Sequence, residues 1–335
     1  MKKGIMKNPV SMRLILSLLF IVSASVLKGQ AQIFTPSGKP VFLVFNNVHS
    51  SFNDKGTNTA FELTRIYLGY EYNFTKNLYT RVNIDMGDPK SGDFQMTAYI
   101  KNAFLQYKTD KFSGRLGMIG TDQFNLIEKQ WGYRYIFKTF QDEYAFGPSA
   151  DLGAALEYAP SKLISFDASV LNGEGYKKLQ SDSALKYTLG VTLKPVKGLI
   201  LRVYTDYMKK DFAQNTLSFF AGYSVKGLKT GLEYNIQKNN KMLDDHDFSG
   251  ISVWASLRFA EKYSVFARYD NLTSNTLSAA TTAWNFGKDG QLFLAGLDYS
   301  PVAGIRIAPV YSGWKPSDAS KKFTSTIGLY FEIKL

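Results

Sequence analysis

The feature that most restricts this chain is an alternation of apolar and polar residues with period two. It comes in runs of about nine to eleven residues, the length of a tilted membrane-crossing strand, and recurs from residue 40 to the last residue. Leu217, Phe219, Ala221, Tyr223 and Val225 share one face of such a run. From Leu228 to Ile236, one face carries Leu228, Leu232, Tyr234 and Ile236, and the other Lys229, Gly231, Glu233 and Asn235. The final run sets Ile327, Leu329, Phe331, Ile333 and Leu335 against Gly328, Tyr330, Glu332 and Lys334. Successive side chains of a strand point to opposite faces, so each run reads as a strand with one face for lipid and one for water.

Sixteen strands are expected, at 41–49, 61–73, 77–86, 96–109, 112–120, 150–159, 163–171, 184–194, 198–208, 215–225, 228–238, 250–260, 263–272, 291–300, 303–313 and 324–335. The connections alternate in length. Thr75-Lys76, Asp110-Lys111, Pro160-Ser161-Lys162, Pro195-Val196-Lys197, Lys226-Gly227, Glu261-Lys262 and Pro301-Val302 are short. Segments 50–60, 87–95, 121–149, 172–183, 209–214, 239–249, 273–290 and 314–323 are long. An even strand number with tight turns at one end and longer loops at the other predicts an all-β fold, a transmembrane antiparallel up-and-down β-barrel. Both chain ends then fall on the short-turn side, where the last strand can close on the first and leave no unpaired edge. Three stretches fit less well. Asn102 shares a face with Ile100 and Phe104, Leu292-Phe293-Leu294 does not alternate, and Pro309 has no amide to give to a ladder.

At the N-terminus, Lys2, Lys3, Lys7 and Arg13 precede an apolar run from Leu14 to Leu27, and Gly29-Gln30-Ala31 follows. This is the pattern of a secretory signal, so residues 1–31 are expected to be a cleaved leader and residues 32–335 a single barrel domain. The apolar run is shorter than the ~20 residues a spanning helix needs, and no later run is apolar enough to supply one. The chain has no cysteine, which excludes a disulfide scaffold and thiol chemistry. Of the formal charge of +12, five positive charges lie in residues 1–31, which leaves +7. Nucleic acid is not an expected partner of an exported chain. The excess points instead to a mildly anion-attracting lumen and to basic segments near outer-membrane lipid and lipopolysaccharide.

Residues 121–149 form the longest connection, the third long loop, and carry Trp131, Tyr133, Tyr135 and Phe137. So aromatic a segment is costly to leave in water, and it is expected to fold inward against the barrel wall and narrow the lumen. At Glu128-Lys129-Gln130-Trp131-Gly132-Tyr133-Arg134-Tyr135 and Gly147-Pro148-Ser149-Ala150-Asp151-Leu152-Gly153 the chain resembles the trimeric sixteen-stranded porins. Among them it looks like the porin O and P type, the so-called phosphate-selective porins. The architectural likeness covers the whole of 32–335, and the specific motif only 128–153. The resemblance implies a Gram-negative outer membrane, a homotrimer, and passive diffusion of small hydrophilic solutes and ions through an eyelet made by the third loop.

By the alternation, Arg65, Arg81 and Arg115 project into the lumen from the second, third and fifth strands. The third loop offers Asp122, Glu128, Asp142 and Glu143, together with Lys129, Arg134 and Lys138. Opposed charges across a narrow aqueous gap create a transverse field that orients polar solutes and tunes ion preference. The competing reading is ordinary solvation of a wet lumen. Inward Lys186, Arg202, Lys229, Arg258, Arg268 and Arg306 are accompanied by Asp85, Asp167, Asp206, Glu233, Asp270 and Asp298. That mixture favours a general pore with at most mild anion preference over a phosphate path, which would want a ladder of bases. Only His49 and His246 are available for acid–base work, and no residue spacing suggests zinc or a phosphate cradle, so no enzyme, cofactor or metal is expected. The alternatives are an oxyanion-selective porin, a barrel with a closed lumen and a structural or adhesive role, and a soluble all-β domain.

Overall fold

The sixteen strands pair antiparallel in chain order around a closed ring, and the first pairs with both the second and the last. In this computed structural model residues 34–87 and 96–335 are described. The expected leader lies outside them, as does most of the expected loop 87–95. The strands are β1 (Ser37–Asn53), β2 (Gly56–Asn73), β3 (Leu78–Gly87), β4 (Thr97–Lys108), β5 (Phe112–Gly120), β6 (Ala150–Tyr158), β7 (Ile164–Leu171) and β8 (Lys186–Leu193). They continue as β9 (Leu199–Lys209), β10 (Ala213–Val225), β11 (Leu228–Lys238), β12 (Phe248–Ala260), β13 (Tyr263–Ser274), β14 (Gly290–Tyr299), β15 (Ile305–Pro316) and β16 (Thr324–Lys334).

Alternation sorts the side chains as a bilayer requires. On β10, Leu217, Phe219 and Tyr223 are exposed on the outside, while Ser218 and Phe220 are buried within. Outward Val82, Leu116, Leu156, Leu189, Val203 and Leu232 continue the belt around the ring. An apolar surface this continuous is stable against lipid and not against water, and closure pairs every edge amide that lipid could not solvate.

Two expected long loops are tight turns. Asn53 lies opposite Gly56, so Asp54-Lys55 alone joins β1 to β2 in place of a loop over 50–60. Lys210-Asp211-Phe212 joins β9 to β10 in place of 209–214. In the first case the strands continue beyond the apolar belt as polar sequence, held by hydroxyl pairs such as Ser50 Oγ to Thr59 Oγ1 (2.8 Å) and Ser51 Oγ to Thr326 Oγ1 (2.8 Å). Without lipid on the outside there is no apolar face to reveal the alternation.

The three irregular stretches each have a cause. In β4 the register slips between Asn83–Asn102 and Ile84–Ile100, so Lys101 is an extra residue at a bulge. The bulge resets the phase, and both Ile100 and Leu105 reach the outside. In β14 the alternation is intact, but Leu292 and Leu294 face an inside that is apolar at that level. Pro309 interrupts the β14–β15 ladder opposite Asp298 and Leu297, yet Gly296–Val310 and Tyr299–Ile307 keep one register on either side.

Candidate functional site

The third long loop enters the barrel. Its first helix, α1 (Asp122–Trp131), has Phe124, Ile127 and Trp131 on its buried side and ends at Gly132, whose left-handed conformation (φ 73°) lets its amide bond back to Glu128 O. A shorter helix, α2 (Phe140–Glu143), follows. The root of the loop is tied shut by Thr121, whose amide and hydroxyl donate to Ser149 O and Pro148 O at 3.1 and 2.9 Å.

The landing place is an aromatic floor on the inner wall. Trp131 packs against Trp254 and Phe266 at 5.5 and 6.2 Å between ring centroids, and Tyr133 lies on Phe266 at 4.3 Å. Glycines make room for the floor. A Cβ at Gly231 would stand 2.3 Å from the Trp254 ring, and one at Gly296 2.5 Å from Phe266. Leu292, Leu294, Ala308 and Val310 complete this cluster, and Tyr135 and Phe45 join it from the other side.

Three inward arginines clamp the loop's backbone. Arg202 donates to Asp122 O (3.1 Å), Arg268 to Lys138 O (2.6 Å) and Arg306 to Gly132 O (2.7 Å). Each is neutralised by a wall carboxylate, respectively Asp167 (2.6 Å), Asp270 (2.7 Å) and Asp298 (3.0 Å). Arg306 also underlies the Tyr133 and Tyr135 rings at 4.8 and 4.7 Å, and the Tyr135 hydroxyl donates to Asp298. Ser224, two residues from the Lys226-Gly227 turn, donates to Gln130, so the loop descends to the short-turn end of the barrel. On the inner wall Thr216, Asn235, Ser252 and Asp270 are fully buried.

A second group of charges lies on the arc of β2 to β5 and on the third loop. Arg65 holds Asp85 at 2.8 Å, Arg81 holds Glu71 at 3.2 Å, and Arg115 grips both oxygens of Asp122 at 2.6 Å, at the N-terminus of α1 where a carboxylate is favoured. Arg134 bridges Glu128 (3.0 Å) and Asp142 (3.1 Å), Lys138 faces Glu143 at 3.8 Å, and Lys129 is exposed on α1. Arg65, Arg134, Lys138 and Asp142 line one cavity of about 240 Å³ together with Tyr176 and Lys177 of the following loop. Arg81 and Arg115 stand apart from that cavity, each in its own ion pair. Burial would raise the Asp142 carboxyl, but Arg134 and then Lys138 overcome it and hold it below the usual carboxylate range. Burial opposes the Arg134 charge too, and Asp142 more than restores it.

Several members of this arc escaped the sequence reading. Lys101 donates to the Tyr67 hydroxyl (3.0 Å) and sits near the Tyr67 and Tyr176 rings at 4.9 and 5.3 Å. The Tyr176 hydroxyl donates to Asp85, already the partner of Arg65, and burial followed by the Asp85 charge pushes its pKa upward. The irregular alternation in β4 was the signal for Lys101. Nothing local marked Tyr176, which reaches the site through the fold of its loop. His49 hydrogen-bonds Asn47 (2.7 Å), and His246 packs on Trp284 in an external loop.

No family model and no curated protein matches this chain. Among solved structures it is similar to Pseudomonas putida OprB at high pH (TM-score 0.69, 10% identity, covering 89% of this chain and 94% of that one). It is similar as well to the outer membrane channel DcaP of Acinetobacter baumannii (TM-score 0.65, 11% identity, 92% and 99%). A third neighbour is the trimer form of OmpT, an outer membrane protein of Vibrio cholerae (TM-score 0.53, 15% identity, 89% and 100%). At such identities the likeness carries the fold, a closed barrel shared with outer-membrane proteins.

Proposed function

We propose that this chain is an outer-membrane porin that lets small hydrophilic solutes and ions diffuse passively, with at most mild anion preference. The observation that carries the reading is the asymmetry of the interior. The third loop is locked onto one side of the wall, and paired charges, most of them partly exposed, line the gap on the other. A structural plug has no need of paired charges facing water, whereas an aqueous path through a low-dielectric wall does.

The charges of that gap nearly cancel. Arg65, Arg81, Arg115, Lys129, Arg134 and Lys138 are matched one for one by Asp85, Glu71, Asp122, Glu128, Asp142 and Glu143. Lys101, Lys177 and Lys178 against Glu174 leave two positive charges over, the source of the mild preference. These residues form the constriction in this reading. A dedicated phosphate path is not favoured, because the strongest inward bases of β9, β13 and β15 are spent on carboxylates and loop carbonyls. The sixteen-stranded barrel, the trimer form of a structural neighbour and the porin-like third loop support a homotrimer.

A second reading, a closed barrel, draws on the depth of the third loop and the fully buried side chains of the inner wall. Single-channel recording of the folded protein in a planar bilayer under a salt gradient separates the two. Conductance in steps of three with a small anion-biased reversal potential is expected. Silence in bilayers that demonstrably contain the folded protein would overturn the porin reading and leave the closed barrel.

A further inference from the structure

The short-turn end of the barrel carries a charge pattern that solute passage does not use. Lys76, Lys111, Lys162, Lys197, Lys226 and Lys262 stand on six of the seven short turns, and all six are exposed; Lys194 opens the same turn as Lys197. None of them is ion-paired among the described residues, and the turns themselves offer only Asp110 and Glu261 as acids. The seventh turn, Pro301 to Gly304, has no charge. The opposite end mixes its signs: Lys238 pairs with Asp247 at 2.6 Å, Lys210 with Asp182 at 3.7 Å, and Lys321 with Asp318 at 3.9 Å. The six lysines, less Asp110 and Glu261, thus contribute +4 of the +7 that residues 32–335 carry.

The neighbours of these lysines say what the ring faces. Phe74 stands beside Lys76, Leu163 beside Lys162, Val196 beside Lys197, Val225 beside Lys226 and Tyr263 beside Lys262, and every one of these apolar side chains is exposed. Five of the six lysine turns therefore present a greasy tip and an ammonium within two residues of each other, at the margin of the outward apolar belt. A polysaccharide or an acidic protein would ask for the cations alone. A bilayer margin asks for both, with the apolar tip in the acyl region and the long lysine stem reaching to the phosphate plane.

We infer that this ring binds the headgroups of anionic phospholipids in the leaflet that the short turns face, concentrating them around the barrel. The inference rests on the membrane-spanning fold and not on conductance, so it stands or falls separately from the porin reading. At roughly 1 kcal/mol per lysine near an anionic surface, a headgroup that meets one lysine is favoured on the order of five-fold over a zwitterionic one.

The test uses the full mature barrel in phosphatidylcholine bilayers containing spin-labelled phosphatidylglycerol or spin-labelled phosphatidylcholine. The fraction of each probe immobilised at the protein is read by electron spin resonance. Phosphatidylglycerol should be enriched several-fold, less so at 0.5 M salt than at low salt because the amines are exposed (about a 4 Å screening length against 10 Å). A variant with all six lysines changed to Gln should lose the enrichment, and the matching six-Arg variant should keep it. A variant with Lys210, Lys238 and Lys321 at the loop end changed to Gln should not differ from the parent. Equal immobilisation of the two probes by the parent, or loss of enrichment only in the loop-end variant, would overturn the inference. So would retention of the parent, but not of the six-Gln variant, on purified peptidoglycan in the absence of any lipid preference.

Discussion

Replacing Arg134 by Gln is the sharpest perturbation of the proposed constriction, because one guanidinium there faces two carboxylates, Glu128 at 3.0 Å and Asp142 at 3.1 Å. Its removal takes one positive charge from the gap and leaves those two carboxylates without their shared cation. An ion passing ~6 Å from that charge feels roughly 0.7 kcal/mol in water, or roughly 0.4 kcal/mol after screening at 0.1 M salt. A cation gains this amount and an anion loses it, so the cation-to-anion permeability ratio should rise about three- to four-fold. Across a ten-fold potassium chloride gradient that is a reversal-potential change of about 25 mV toward cation selectivity. Arg134→Lys keeps the charge and should leave the potential near that of the parent, which controls for displacement of the loop. If Arg134→Gln folds, conducts and reverses at the parent's potential, the ions do not pass this cluster and the constriction is elsewhere.

Three further outcomes follow from the same geometry. Trp131→Ala should cost the docked loop ~3–5 kcal/mol, since the ring is buried among Tyr133, Trp254 and Phe266; conductance noise and protease cleavage within 121–149 should both increase while the strand content measured by circular dichroism stays constant. Gly231→Ala, which sets a methyl 2.3 Å from the Trp254 ring, should loosen the loop in the same way by tilting the floor beneath Trp131. The Arg134–Asp142 pair has its own pH window: because the folded carboxyl is held low, its contribution is complete above the ordinary carboxylate range and is lost only as pH falls below it, so loop protease resistance should hold at pH 5 and decline in strongly acidic buffer. An equal decline in the Asp142→Asn variant would refute that assignment.

The barrel was legible in the sequence because lipid imposes alternation on every strand that touches it. Where the solvent was not lipid, the signal faded. The polar upper parts of β1 and β2 read as loop although they are paired as far as Asn53–Gly56. Pro309 looked disruptive, but one missing amide in a closed ladder leaves the registers on either side unchanged. The inward course of the third loop followed from its aromatics, while its helix α1 did not stand out. Phe124, Ile127 and Trp131 do fall on one helical face, yet the helix is short, begins without a side-chain cap on its first amides, and owes its existence to the wall it packs on.

The charged residues were harder to sort than the strands, because alternation reports which way a side chain points and not how far along the barrel it stands or what it meets. Arg65 and Arg306 both read as inward bases. Arg65 lines a cavity with Arg134 and Asp142, whereas Arg306 is consumed beneath Tyr133 and Tyr135, with Asp298 for its charge and Gly132 O for its remaining donor. The difference lies in the loop laid against the wall. Where the loop covers an arginine, the cost of its desolvation is met only by a carboxylate and a carbonyl, and the residue becomes an anchor. Arg65, no more exposed than Arg306 (14% against 22% of the side chain), meets Asp85 and Tyr67 and no loop carbonyl, and so stays on the wall of a cavity. In the proposed pore, selectivity and loop anchorage would draw on one set of inward charges, so a change in where the third loop rests should turn anchors into cavity-lining groups without altering a strand.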